Sequence, residues 1–489
     1  MKKYVCALAL ILVGLGAAGA KEVDRNELQV TGSASVQFEN YSGPHAVIET
    51  AAAITGIGSG LGASVARDLA TPTTVQPYAK YSVHHVVGAE DAEKLGADIL
   101  VLNPTAGVDH ITNLRRIITG YLSAAYGYER EDAETISVFV TVYNAVYRKD
   151  IPYFSSKYND AVLSYLTEEA AGLSTNWEEW PGKSQIVIPL GEIRAGEEVA
   201  ISVDTSVISD ENVIEAMRSD EDKNIEVREN LTEIKEKESV SASEKAKTAQ
   251  KEAAQEKKDG NKAAAAESAK TAAEQQKIAD KKAEEVRSER ETIAKDKAEV
   301  KKAEAEKAKA APQAYTTGLF AVDASSRLYT LMTVNPKNGE VVKKSALRQI
   351  REKTIFPVSN VSVTKDDGTQ ATVSNAFIAI CGVSDGKSAV KLCIIDAESL
   401  LIQKQSDETI SENSPLLQSG DTFFAIVSDG AKNYLASFDK NVSLKTKSNV
   451  ALSGASPLTI TPDGILATDE GGNPVLLSLS GLSSLWAAE

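Results

Sequence analysis

The chain has 489 residues, of which 42% are hydrophobic and 25% are charged, an ordinary composition for a folded protein. At about 150 residues per domain, this length predicts two or three domains. The formal net charge is -16. This balance argues against nucleic acid as a partner, because a phosphate backbone is bound by clustered Lys and Arg.

The start of the chain has the pattern of a secretory signal peptide (residues 1–20). Lys2 and Lys3 form a positive beginning, an apolar run follows, and residues 18–20 give an A-x-A cleavage site. We expect cleavage before Lys21 and an exported protein of the periplasm or cell envelope, with surface exposure left open. The apolar run is shorter than the ~20 residues that span a bilayer, so no membrane span is expected after cleavage.

Residues 21–209 predict a compact α+β or α/β domain. Alternating or apolar runs predict strands at 36–38, 81–87, 98–102 and 185–190. A first helix has Asp109 as its expected N-cap and ends near Gly127. Further helices are expected from about residue 131 and over 153–166.

Five runs are spread in order over this first domain. They are KEVDR (21–25), FENYSGP (38–44), LRRIITGYL (114–122), YNAVYR (143–148) and WPGKSQ (180–185). They resemble the spirochaetal 83/100-kilodalton antigen family. The resemblance implies an exported envelope antigen with an N-terminal domain, a charged helical middle and a small β-rich end, and it brings no established catalytic residue. This chain differs from the longer members in its shorter, Ala-rich middle.

Residues 210–311 consist mainly of Glu, Lys and Ala. Such a segment buries too little apolar surface for a core of its own, yet these residue types favour helix. We expect a long charged helical spacer with Ser209 or Asp210 as its N-cap. A turn signal at 259–261 divides it into two arms, each on the order of 70 Å long at 1.5 Å per residue. An antiparallel hairpin, a single kinked helix and partial disorder stay open.

Apolar residues recur every seven positions in the second arm. They are Ala279, Val286, Ile293 and Val300. The accompanying seam positions, Arg290 and Lys297, are charged. This coiled-coil-like pattern is half of a seam and does not predict a stable coiled coil.

From residue 312 to residue 489 the chain is β-rich and repetitive. Each of four units pairs a short apolar strand with tight-turn residues: 319–323 with 338–339, 378–380 with 385–386, 424–427 with 429–430, and 466–468 with 471–472. The last three units are spaced about 42 to 44 residues apart, within the range of propeller blades. We expect a C-terminal all-β, propeller-like domain of four blades, with an open half-propeller or a small β-sandwich as alternatives.

Cys381 and Cys393 are the cysteines that remain after the expected signal cleavage. They flank a turn at 384–388 and could face one another across a hairpin. An exported location permits a disulfide. Two small buried apolar side chains are an equal alternative.

Three motif-like patterns predict no site, and no cofactor or metal is expected. Residues 382–386 fit G-x-S-x-G, but the turn leads into a strand and no His follows, so a hairpin turn is favoured. Residues 56–62 are rich in glycine but break the G-x-G-x-x-G register, which favours a flexible loop or a helix start. His84 and His85 are neighbours in a predicted strand and point to opposite faces, so they cannot easily share a metal ion.

Five polar residues form the candidate interaction site, namely Arg115, Arg116, Asn144, Arg148 and Lys183. The arginine pair lies off the apolar stripe of its helix, and Asn144 and Arg148 are four residues apart on the next helix. The favoured interpretation is solvated helix faces with a few structural ion pairs. The functional hypothesis is a basic recess for a peptide or an anionic ligand, and it rests partly on the family resemblance.

The sequence therefore predicts a non-enzymatic, exported scaffold of the cell envelope, with two globular ends held apart by a helical spacer. The expected partners are envelope proteins of unknown identity, and self-association stays open. Ligand or peptide binding by the first domain is the alternative hypothesis. An enzyme is the third and least favoured hypothesis, because no nucleophile, metal cluster or cofactor loop has the sequence context that its chemistry needs.

Overall fold

A computed structural model describes residues 36–87, 94–195, 198–220, 222–309, 315–323, 325, 327–351, 353–364, 369–385 and 388–487. The expected signal peptide (1–20), its cleavage before Lys21 and the run at 21–25 lie outside these residues. None of the described helices is both long and apolar enough to cross a bilayer.

The described residues form two compact units. Unit 1 lies within Met1–Glu39 and Gly58–Val300, and unit 2 lies within Asn40–Ile57 and Lys301–Glu489. A region of mixed helix and sheet, a long helical region and an all-β region follow one another, as the sequence predicts. Most of the helical region groups with unit 1. The domain boundaries at residues 209 and 311 stay predictions.

The sheet of unit 1 is antiparallel, and its strands are neighbours in chain order. Its described strands are β1 (Thr73–Tyr78), β2 (Tyr81–Val86), β3 (Gly96–Leu102), β4 (Ser184–Ala195) and β5 (Glu198–Val203). The expected strands at 81–87, 98–102 and 185–190 are confirmed. Residues 36–38 do not form a strand, and this segment contributes an isolated bridge from Glu39 to Asn176.

The helices before the long helical region are α1 (Ala51–Val65), α2 (Ile111–Tyr126), α3 (Arg130–Val146), α4 (Ile151–Lys157) and α5 (Asp160–Leu163). The N-cap of α2 is His110 rather than Asp109, because the His110 side chain accepts a hydrogen bond from the backbone N–H of Thr112. The helix expected over 153–166 is divided, since Tyr158 is extended.

The glycine-rich stretch at 56–62 lies within α1 and is neither a loop nor a helix start. A Cβ atom at Gly58 would lie 1.8 Å from the carbonyl oxygen of Ile117, and one at Gly62 would lie 2.5 Å from that of Tyr121. Glycine therefore lets α1 approach the backbone of α2. The pattern that resembled a phosphate loop serves helix packing.

The long helical region contains α6 (Glu211–Arg218), α7 (Ile225–Lys258) and α8 (Lys262–Lys309). Lys297 pairs with Glu229 and Glu285 pairs with Lys235, so residue numbers fall on one helix as they rise on the other. The two helices therefore form an antiparallel hairpin, which decides between the three alternatives. Its turn is the expected one, with Gly260 at φ 81°.

The seam of this hairpin alternates apolar and polar layers. The buried apolar residues of α8 are Ala272, Ala279, Val286 and Ile293. The positions three residues later are Gln275, Lys282, Glu289 and Asp296. Arg290 and Lys297, which were expected at this second position, lie one residue beyond it and pair with glutamates at the half-exposed edge. Apart from Gln275, the polar half of the seam is thus built from paired charges.

One buried ion-pair cluster joins three helices. Arg228 on α7 and Asp296 on α8 have fully buried side chains, and Arg228 Nη1 lies 2.6 Å from Asp296 Oδ2. Arg228 Nε donates to Glu289 at 2.6 Å, and Arg218 of α6 donates to Asp296 at 2.9 and 3.1 Å. Although burial opposes it, hydrogen bonds from both arginines hold the pKa of Asp296 below its usual value.

We predict that Arg228→Ala weakens the hairpin by about 3 kcal/mol, because it removes one partner of a buried pair. Hydrogen exchange of α7 and α8 in the full chain should quicken by about a hundredfold near the cluster. Arg290→Ala is the matched control, since Arg290 pairs across the same hairpin with its side chain half exposed, and its effect should stay below about 1 kcal/mol. Equal effects of the two changes would contradict this account.

Unit 2 has three described sheets, all antiparallel. The first contains β6 (Thr316–Ala321), β7 (Leu328–Val334), β8 (Val341–Lys344), β9 (Ile350–Arg351), β10 (Phe356–Thr364), β11 (Gln370–Cys381), β12 (Lys391–Asp396) and β13 (Ile402–Gln405). The second contains β14 (Thr409–Ile410), β15 (Leu417–Ser419), β16 (Thr422–Ser428), β17 (Asn433–Phe438) and β18 (Leu444–Leu452). The third contains β19 (Thr459–Thr461), β20 (Gly464–Thr468), β21 (Pro474–Leu477) and β22 (Ser484–Ala487).

The four expected repeat units map onto these three sheets. The first two units share one sheet, because the short strand β9 pairs with both β7 and β11. A turn closed by two backbone hydrogen bonds to its first residue recurs once in each unit, with the same spacing at Asn335, Asp396 and Ser478 and one residue shorter at Asp439. In the last three units the turn contains a buried aliphatic residue at positive φ, namely Leu400, Val442 and Leu482. The internal repeat is therefore present in the fold as well as in the sequence.

The middle strands of unit 2 bury both of their faces. On β16, Phe423, Ala425 and Val427 pack with residues of β11 and β12. The intervening residues Phe424 and Ile426 pack with the third sheet. Because side chains alternate along a strand, one sheet contributes to two successive cores.

Cys381 and Cys393 are free and buried on one core face. They lie on adjacent strands but are not directly opposed, since Cys381 pairs with Lys391 and Cys393 with Ala379. Burial raises the pKa of the Cys381 thiol well above its usual value. The structure therefore favours two buried thiols over a disulfide.

We predict that Cys381 and Cys393 resist alkylation in the native chain, because both thiols are buried and shielded from the reagent. After unfolding in the absence of reductant, both should be alkylated, which peptide mass spectrometry would detect. A disulfide-linked peptide containing both residues would contradict this assignment.

Candidate functional site

The five candidate residues lie in unit 1 with different surroundings. Arg115 is half-buried, its Nε donates to Thr141 Oγ1 at 3.0 Å, and its guanidinium lies 5.7 Å from the ring centre of Phe38. Burial lowers the pKa of Arg115 to about 10. Arg116 donates to Asn113 on its own helix at 2.7 Å. Both arginines therefore have local partners.

Asn144 is a structural residue. Its side chain is fully buried, donates to the backbone oxygens of Val140 and Val187 and accepts from the Val187 N–H, each at 2.8 Å. It therefore ties α3 to β4, because an amide that bridges two backbones in this way is fixed in orientation. Asn144 is not available to a ligand.

Arg148 and Lys183 are brought together beside the loop that precedes β4. Arg148 pairs with Glu179 at 3.1 Å and donates to the Lys183 carbonyl oxygen at 3.3 Å, whereas the Lys183 side chain is exposed. The ring of Trp180, buried in the same loop, lies edge-on to Phe38 at 6.5 Å. Lys183 is thus the candidate best placed to meet a partner, and the basic recess stays a prediction.

A buried polar cluster that the sequence analysis did not find lies within the sheet. Asp98 of β3 is fully buried and accepts from His85 Nδ1 at 2.6 Å and from Tyr121 Oη at 2.5 Å, and it also accepts from the hydroxyl of Tyr126. A charged residue inside the apolar run GADILVL was the available signal, since an uncompensated charge is costly in a core.

Both ring nitrogens of His85 have a hydrogen-bond partner. Its Nδ1 faces the Asp98 carboxylate and its Nε2 lies 3.1 Å from the carbonyl oxygen of Leu69, and both partners only accept. Burial lowers the pKa of His85, but the hydrogen bond and charge of Asp98 outweigh it and raise the pKa overall. Because both nitrogens are engaged by groups of the fold, the cluster ties β2 to β3.

A second missed cluster connects this domain to the long helices. The rings of Tyr147 and Tyr153 stack at 3.4 Å, and their hydroxyls donate to Asp210 Oδ2 at 2.7 and 3.1 Å. The other oxygen of Asp210 accepts from the Val213 N–H and caps α6. Asp210, expected only as an N-cap, therefore also anchors α6 to α3 and α4.

The family model described as Borrelia P83/100 protein matches residues 25–266 and 249–459, which together cover most of the chain. The chain belongs to the Borrelia P83/100 protein family. The match confirms the resemblance seen in the sequence, and with it the assignment as a spirochaetal antigen. No curated protein matches the chain.

Among solved structures, the chain is similar to "The crystal structure of BamB from Moraxella catarrhalis". The two are 14% identical, and the match covers 34% of this chain and 59% of the BamB chain, with a TM-score of 0.20. A similarity of this level carries no argument about the fold of this P83/100 family member.

We predict that unit 1 loses stability as the pH rises from about 6.5 through the raised pKa of His85, by up to about 1.4 kcal/mol per pH unit. In this range the folded state binds one more proton than the unfolded state, so stability falls as the pH rises. Urea unfolding of a Trp486→Phe chain, followed by the fluorescence of Trp177 and Trp180 from about pH 6 to about pH 9, measures this effect.

Asp98→Asn should remove this pH dependence as well as lower the stability, because it removes the carboxylate that raises the pKa of His85. His84→Gln is the control, since His84 lies on the opposite face and interacts with Thr74 and Tyr165. A slope that survives in Asp98→Asn would assign the pH dependence to another group.

Proposed function

We propose that the protein is a non-enzymatic scaffold of the cell envelope that binds other envelope proteins. The observation that carries this proposal is an apolar row on the third sheet of unit 2. Leu466, Leu476 and Trp486 are cross-strand neighbours in the register of β20, β21 and β22. The alternate residues Ile465, Val475 and Leu477 pack into the core, so the row lies on the other face.

The exposure of Trp486, at the end of this row, supports a role in binding. Trp486 is 48% exposed and Leu466 is half-buried, whereas Leu476 between them is buried. On the second sheet of unit 2, the equivalent face is covered by the next sheet. Tryptophan at a half-open apolar surface is typical of interface centres, because it buries a large area at a small entropic cost.

We also propose that the four repeat units are blades of an open, propeller-like array. The recurring turn and the two-sided burial of β11, β12, β16 and β17 support this interpretation. A row of blades that does not close presents free outer faces, which is the geometry that a scaffold needs.

The decisive experiment is crosslinking in intact cells with the full chain. A defined protein partner should be crosslinked by the wild type and lost by at least tenfold in Trp486→Ser, because serine removes the aromatic surface. Leu444→Ser is the matched control, since Leu444 is 41% exposed on the second sheet. If all three chains capture the same proteins, or none captures a defined partner, the scaffold proposal fails.

Export is part of the same proposal and rests on the pattern of residues 1–20. We predict that the protein purified from cells begins at Lys21, because the A-x-A site precedes it. Amino-terminal sequencing of the envelope fraction checks this. An intact amino terminus, or recovery of the protein only from the cytoplasm, would contradict it.

We propose ligand or peptide binding by unit 1 as the second candidate function. The exposed Lys183 beside Arg148, with Arg115 and Arg116 on α2, supports a basic surface for an anionic group. Lys183→Ala tests it cleanly, because the side chain is exposed and its loss should not disturb the fold. Unchanged envelope interactions in Lys183→Ala and in Arg115→Ala would remove this candidate.

A further inference from the structure

Residues 40–45, part of the run FENYSGP, lie in a groove of unit 2. The segment belongs to unit 2 by its contacts, although 270 residues lie between it and β6, the first β-strand of that unit. Gly43 and Pro44 are buried, and His45 forms an antiparallel bridge with Ser388. The first sheet of unit 2 therefore holds an extended piece of the chain as it would hold a bound peptide.

The groove recognises the backbone of this segment. The side-chain amide of Gln405, at the end of β13, accepts from the His45 N–H at 3.1 Å and donates to the His45 carbonyl oxygen at 2.7 Å. The backbone N–H and carbonyl oxygen of His45 are thus both paired with the side-chain amide of Gln405. Contacts of this kind, together with a β-bridge, are how domains bind extended peptides.

The groove also selects side chains, and the selection begins at Gly43. A Cβ atom at this position would lie 2.3 Å from Gln349 Oε1 and 2.4 Å from the hydroxyl of Tyr41. The Tyr41 hydroxyl itself lies 2.9 Å from the Pro44 carbonyl oxygen and 3.3 Å from Gln349 Oε1. A larger residue at position 43 would therefore displace both contacts.

Pro44 packs over Gly382, the first residue of the G-x-S-x-G pattern. A Cβ atom at Gly382 would lie 2.7 Å from Pro44 Cγ and 2.0 Å from the Ala389 carbonyl oxygen, and Gly382 has φ 107°. The backbone of Gly382 is held by its N–H, which donates to the backbone carbonyl oxygen of Gln349 at 2.8 Å. The glycine therefore forms a flat floor for a proline ring, which gives this pattern a role other than catalysis.

We propose that this groove is a peptide-binding site for extended Tyr-x-Gly-Pro segments, and that residues 40–45 are its resident ligand. The occupant is the chain's own segment, and a free peptide of the same sequence can replace it. The contacts that define the site come from neutral groups: the amides of Gln349 and Gln405, the backbone at Ser388 and the surface of Gly382. Binding should therefore depend little on salt.

This groove is a different surface of unit 2 from the apolar row on the third sheet, so its binding is independent of the scaffold function. A protein that presents Tyr-x-Gly-Pro in an extended loop, or a second copy of this chain, has the chemistry to compete for the groove.

The test uses the full chain with its own segment displaced. Gly43→Val should release residues 40–45, because the added side chain meets Gln349 and Tyr41. Hydrogen exchange at the His45 amide should then quicken at least tenfold. A fluorescent peptide with the sequence of residues 39–46 should bind Gly43→Val saturably, as measured by anisotropy, and bind the wild type at least tenfold more weakly.

Two controls separate this site from non-specific binding. The same peptide with valine in place of its glycine should not bind, and Gly43→Val combined with Gln405→Ala should lose peptide affinity at least tenfold. Tyr41→Ala serves as a second displaced variant if Gly43→Val does not fold. An unchanged exchange rate in both displaced variants, no saturable peptide binding, or binding that survives Gln405→Ala would overturn the proposal.

Discussion

The fully buried pair of Arg228 and Asp296 is the constraint on which the helical half of this protein depends. The residues of this region are mostly Ala, Glu and Lys, so the hairpin seam buries little apolar surface. Two charges in such a seam are costly unless their hydrogen bonds are satisfied. Here Asp296 accepts from two arginines on two other helices. Since any shift of α8 along α7 would leave these charges unpaired, the pair fixes one register.

The same hairpin is fixed to its domain by polar contacts. Thr205 Oγ1 donates to Glu238 on α7 at 2.7 Å, and Ser206 Oγ donates to Glu285 on α8 at 3.0 Å. The stacked tyrosines that hold Asp210 anchor α6 in the same way. A segment that would be marginal as an isolated charged helix thus gains its stability from tertiary contacts.

Unit 2 is held together differently, by the alternation of apolar side chains along its strands rather than by ion pairs. Strands such as β16 supply Phe423 to one core and Phe424 to the next, so successive sheets are held by hydrophobic burial. The stability of the two units therefore depends on different interactions. Salt and pH act on the charged hairpin and the His85 cluster, whereas the sheets of unit 2 respond mainly to the loss of apolar packing.

Much of this architecture is visible in the sequence, because long periodic segments are decided by local pattern. The helix ending at Gly127, the turn around Gly260 and the β-rich repeats are of this kind. What pattern cannot supply is the partner across a long sequence separation. In the sequence, Asp98 is one polar residue within an apolar strand. Only the fold brings His85 and two tyrosines to its carboxylate.

The candidate site shows the same limit. Its five residues are predicted from their charge and spacing. Asn144, however, hydrogen-bonds to the backbone of β4, and Arg148 pairs with Glu179. These partners are distant in sequence, and only the fold brings them together. Residues 36–38 alternate as a strand does, yet no neighbouring strand pairs with them among the described residues. Lys183 alone among the five keeps an exposed side chain, because it lies in a turn rather than on a packed helix.

The central claim is that the charged middle of the chain folds back on itself, and one distance tests it. Spin labels at Glu244→Cys and Lys277→Cys, both at exposed positions, sit on opposite arms, 33 residues apart in sequence. Pulsed electron paramagnetic resonance on the full chain should give a distance between the two labels of about 20 to 30 Å, since paired helix axes lie roughly 10 Å apart. A separation of about 50 Å, the length of a continuous helix over that interval at 1.5 Å per residue, would contradict the account.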